Sequence, residues 1–116
     1  TTTPVQFDPI ALKESVERIA ALQPDCIFPT HFSRVNDVQR LKLLFIKQLD
    51  EMVSLAISLK DSSDRHKNLK NGLLDIYEKY LKIHGCDLPR AEIGDFLKID
   101  LELNAQGIGI WLDKGA

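Results

Sequence analysis

The chain has 116 residues, 44% of them hydrophobic and 28% charged, with 5 Pro and 6 Gly; this is one ordinary domain with material for a core, which excludes disordered and collagen-like chains. Its 15 basic and 17 acidic side chains leave a net charge of −2, so no overall field draws in nucleic acid or an anionic membrane. No apolar run approaches the ~20 residues needed to span a bilayer and no charged-then-apolar leader opens the chain, so the expectation is a soluble, cytoplasmic protein with no nucleic-acid or membrane partner.

Residues 1–7, with Pro4 and no helical period, read as an extended lead-in. Asp8 is a good N-cap and Pro9 suits the first helical position, where its missing N–H costs nothing. Leu12, Val16, Ile19 and Ala20 then form one apolar stripe on a helix ending near Leu22, and Gln23-Pro24-Asp25 turns the chain. Cys26–Thr30 reads as a short buried strand. Pro29 has no N–H to give a ladder, so pairing stops or becomes one-sided there, and Thr30-His31 falls at the strand's mouth.

From Asn36-Asp37, with Asp37 as the cap, a long helix is expected to about Lys60. Val38, Leu41, Phe45, Leu49, Met52, Ala56 and Leu59 make one stripe; Leu43, Ile46, Val53 and Ile57 make a second, which implies contacts on two sides. The serines of Asp61-Ser62-Ser63-Asp64 can cap a third helix, about Asp64 to His84, with the stripe Leu69, Leu73, Ile76, Tyr77 and Tyr80 and with Gly85 as its left-handed terminator. A short helix follows Pro89 toward Leu97. In the tail from Lys98 to Lys114, Ile99, Leu101 and Leu103 alternate as a strand would, yet Ile99, Leu103, Gly107, Ile110 and Trp111 fall on one helical face; helix is favoured, with Asp100 as cap and Gly107 at a close helix crossing. The sum is a mainly α chain, a bundle of four to five helices with one short strand.

Few residues invite chemistry. Cys26 and Cys86 stand in no CxxC-type pair and read as reduced, mostly buried residues. His66 at a polar helix start and His84 in a last helical turn read as structural, as does the small solvated cluster of Lys67 and Lys70. Tyr77, Tyr80 and Trp111 have no interleaved basic residues and suit a core or interface better than a base-stacking platform. No P-loop, GxGxxG, GxSxG or HExxH is present. That leaves His31, because neutral imidazole is the commonest protein metal ligand and this one ends a buried segment. On spacing alone, a hydrogen-bonded structural histidine accounts for it better.

The run Thr3-Pro4-Val5-Gln6-Phe7-Asp8-Pro9, then Leu22-Gln23-Pro24-Asp25-Cys26-Ile27-Phe28-Pro29-Thr30-His31-Phe32, then a long helix, resembles the C-terminal part of metallo-β-lactamase-fold hydrolases. The ending from Asp100 to Leu112, with Asn104-Ala105-Gln106-Gly107 within it, looks like the C-terminal helix of a subgroup with a helical extension. The resemblance covers nearly the whole chain. It implies that residues 1–35 close a truncated αββα catalytic domain and that 36–116 form the extension. It also implies that His31 is the last ligand of a zinc, iron or manganese site in the intact enzyme. The paired HxHxDH cluster, the next His and the bridging Asp of that family are not in this chain, and Ser33 stands where relatives often have Gly. The chain is therefore expected to be a C-terminal fragment, inert and without metal by itself, whose extension serves packing and dimerisation or gates the substrate, and whose partners are the missing N-terminal catalytic domain and a second copy. The rival expectation is a helical interaction or oligomerisation module with no catalytic role.

Overall fold

The computed structural model describes residues 5–30 and 33–116. The chain is mainly α: α1 (Pro9–Ala21), α2 (Val38–Ser58), α3 (Arg65–Ile83), α4 (Arg90–Phe96) and α5 (Lys98–Asp113). They form two compact units, one of residues 8–50 and one of residues 5–7 with 51–116, and the change from one to the other falls inside α2. None of these helices is long and apolar enough to cross a membrane.

In the first unit Asp8 caps α1 as its sequence requires, its carboxylate accepting from the Ala11 amide at 3.0 Å with Pro9 at the helix start. Ala20 of the stripe is buried, whereas Ile19 is 46% exposed. Lys13 pairs with Asp50 at 3.2 Å and Lys42 with Glu17 at 3.4 Å, and Gln39 donates to the Ala20 carbonyl at 2.8 Å. The strand expected over Cys26–Thr30 is reduced to a single antiparallel bridge between Ile27 and Val35, with N–O distances of 2.9 and 2.8 Å. Pro29, with no donor, accounts for why pairing does not extend toward Thr30. Asp37 does not take the extended geometry usual for a helix cap: its φ is +54 and its carboxylate bonds the Arg40 guanidinium.

Along α2 the buried residues Val38, Leu49, Met52 and Ala56 all belong to the first stripe, though its Phe45 is 39% exposed. The second stays largely open, Leu43 being 65% and Ile57 58% exposed. The contacts on two sides that its width implied are thus not made at these positions.

The second unit is built on α3, whose Leu69 and Leu73 are fully buried, together with Ile93 of α4 and Leu101, Ala105, Ile108 and Leu112 of α5. The last four recur at i, i+4, i+7 and i+11, the one-sided spacing that lays a helix along a neighbour. The tail is helical from Lys98, so Asp100 sits inside the first turn and not at the cap; Leu97 both ends α4 and opens α5. Gly107 is buried on α5. A backbone-close contact occurs at Gly72 of α3, where a methyl group would lie 2.6 Å from both terminal carbons of Leu55. Phe7 meets Trp111 edge to face, centroids 5.7 Å apart.

The end of α3 is a complete Schellman turn. Gly85 has φ +83, its amide reaches the Lys82 carbonyl at 3.0 Å, and the Cys86 amide reaches Leu81 at 2.9 Å. Any L side chain is strained at that φ, so Gly85→Ala is expected to cost about 1 kcal/mol, read as a lowered urea midpoint with an unchanged slope. Unchanged stability would show that the left-handed turn is not needed in solution.

Candidate functional site

His31 lies outside the described residues. Its neighbours in sequence, Thr30 and Ser33, are exposed, and Phe28 is 72% exposed. A catalytic zinc needs about three protein ligands, and among the described residues no three His, Cys, Asp or Glu side chains come together as a ligand set. The described part of the chain does not assemble a metal centre. Cys26 and Cys86 are free thiols, both half-buried.

What the structure does assemble is a polar cluster joining α3 to α5. The Glu102 carboxylate accepts from Lys70 Nζ at 2.9 Å and Gln106 Nε2 at 2.8 Å, and His66 Nε2 lies 3.1 Å from its Oε1. Lys70, Gln106 and His66, in that order of effect, hold Glu102 well below the usual carboxylate range, at about 2. A carboxylate with a lowered folded pKa stabilises above its unfolded value of about 4.5 and stops doing so as pH falls through the folded one. Glu102→Gln should therefore lower the thermal midpoint at pH 7, and the gap from wild type should close between pH 4.5 and 2. A gap that stays constant with pH would remove ionisation of Glu102 as its cause. The cluster is solvent-exposed on all members, which makes it a tie between helices more than a reaction centre. Arg65 adds a second tie, to Asp113 at 2.8 Å.

Two tyrosines are also perturbed. Burial pushes Tyr77 up to about 12, against the hydrogen bond from Asn104, with the Asp100 charge adding to the rise. Asn104 Nδ2 donates to Tyr77 Oη at 2.6 Å, and Asn104 is itself buried. Tyr80 is likewise raised to about 12 by burial and by Glu51, to which its hydroxyl donates at 2.8 Å. The Glu51 carboxylate also takes Lys79, whose Nζ sits 4.9 Å from the Tyr80 ring centroid. Both hydroxyls therefore stay protonated at neutral pH and act as fixed hydrogen-bonding groups, not as bases. On α4, Arg90 bridges Asp75 at 2.6 Å and Glu78 at 2.8 Å; Lys82 and Arg90 together keep Glu78 below the ordinary carboxylate range.

By sequence Lys70 is a solvated residue and His66 a structural one at a polar helix start, and neither pattern reveals the carboxylate they share. The one local signal is the matched i, i+4 spacing of His66/Lys70 and Glu102/Gln106, which lie 36 residues apart. Among the described residues no buried side-chain nitrogen or oxygen lacks a partner. A shallow depression of about 400 Å³ in the first unit is lined by Glu17, Ala20, Gln23, Pro24, Gln39 and Lys42. Its polar walls are already engaged with one another, through Lys42 and Glu17 and through Gln39 and Ala20. Compared with protein-family models, curated proteins and solved structures, the chain finds no match.

Proposed function

We propose that this chain is the helical C-terminal part of a metal-dependent hydrolase of the metallo-β-lactamase type, to which it contributes His31 as one metal ligand. The observation that carries the reading is the run from Leu22 to Phe32, Pro-Asp-Cys-Ile-Phe-Pro-Thr-His-Phe in its core, set between α1 and α2. In the intact enzyme zinc, or iron or manganese, would supply a water acidified toward pKa ~7 for attack on an ester, thioester, amide or phosphoester. The chain's own part is to hold and to brace. One imidazole cannot make a catalytic centre, so hydrolysis requires the other ligands from a preceding catalytic domain.

The reading is tested first on the coding sequence ahead of Thr1, where it expects HxHxDH, a further His and a bridging Asp; an unrelated sequence there sinks it. It is tested next on metal content and turnover of the longer protein, where His31→Ala should lose metal and at least ~10²-fold of activity. Zinc titrated into the present chain should bind weakly and without regard to His31→Ala. Tight stoichiometric binding abolished by His31→Ala would mean that the chain completes a site alone or between copies, and would overturn the account of it as inert.

A second reading, a helical assembly module, is favoured by the exposure of Leu43, Ile57 and Phe96, the last 84% exposed. On this reading such side chains are covered by another copy or by the rest of the enzyme. Sedimentation of a clean monomer that binds no apolar dye would count against it.

A further inference from the structure

We draw no further inference here: the strongest candidate, the exposed apolar corner that Phe96 and Ile99 form where α4 meets α5, carries nothing because nothing in the structure shows what covers it.

Discussion

Replacing Leu73 by Ala is expected to cost about 2–5 kcal/mol, the range for truncating a fully buried leucine, because the transfer energy of the lost methyls is joined by the cavity they leave. Leu73 has no exposed surface and lies on α3 one turn from Leu69, which is equally buried. For a chain of this length total stability is on the order of 6–17 kcal/mol, so the single change removes a large fraction of it. Urea unfolding followed by circular dichroism should show a lower midpoint at the same slope, while Leu73→Met, which nearly conserves volume, should lose less than about 1.5 kcal/mol. A loss under about 1 kcal/mol for the alanine variant would mean that the space beside α3 collapses freely and is not a packed core.

Asn104→Asp should be the most pH-sensitive change. Asn104 is 6% exposed and its amide donates to Tyr77 Oη at 2.6 Å. A carboxyl group there loses hydration on burial and feels Asp100, whose charge already acts on Tyr77. Its folded pKa is therefore raised above the unfolded ~3.9. A carboxyl raised on folding favours the neutral form, so the penalty is absent below the unfolded pKa and grows as pH rises through the folded one. At pH 8 the variant should be less stable than wild type by about 2 kcal/mol, and near pH 3.5 the two should nearly coincide. Equal stabilities at pH 8 would mean that water reaches position 104 or that the Tyr77 hydroxyl, by turning its donor, satisfies the new carboxylate.

Of the stripe read for α1 only Ala20 is buried, but α3 writes its core face at helical spacing. Leu69, Leu73, Ile76 and Tyr80 could be read from that spacing alone, and they are the buried residues of α3. The tail was the harder case, since Ile99, Leu101 and Leu103 alternate as in a strand. Helix prevails, but the face turned inward is that of Leu101, Ala105, Ile108 and Leu112, while Ile99 of the expected face is 74% exposed; the burial of that seam outweighs the propensity cost of Gly107 and Gly109. Caps were less legible. Asp37 and Asp100 are good capping residues by type, but Asp37 gives its carboxylate to Arg40, and α5 starts two residues before Asp100 because α4 hands over directly at Leu97. The width of apolar surface on α2 correctly marked Leu49, Met52 and Ala56 as core, yet a sequence cannot say which of two apolar stripes finds a neighbour. The Glu102 cluster was hidden for a related reason: its members are local in pairs, and only the packing of α5 on α3 brings the pairs together. The mark of His31 is its place in the run from Leu22 to Phe32.

Helices α3, α4 and α5 are consecutive, and each touches the other two. The widest of the polar ties between α3 and α5, Arg65 to Asp113, spans 48 residues, and the tightest, Asn104 to Tyr77, spans 27. Closing loops of that size sacrifices little chain entropy, because the cost grows only as the logarithm of length. Leaving aside the long closure from Phe7 to Trp111, α3, α4 and α5 are of the helical class whose domains fold in microseconds to milliseconds. Their formation can therefore keep pace with a ribosome that adds only ~5–20 residues per second.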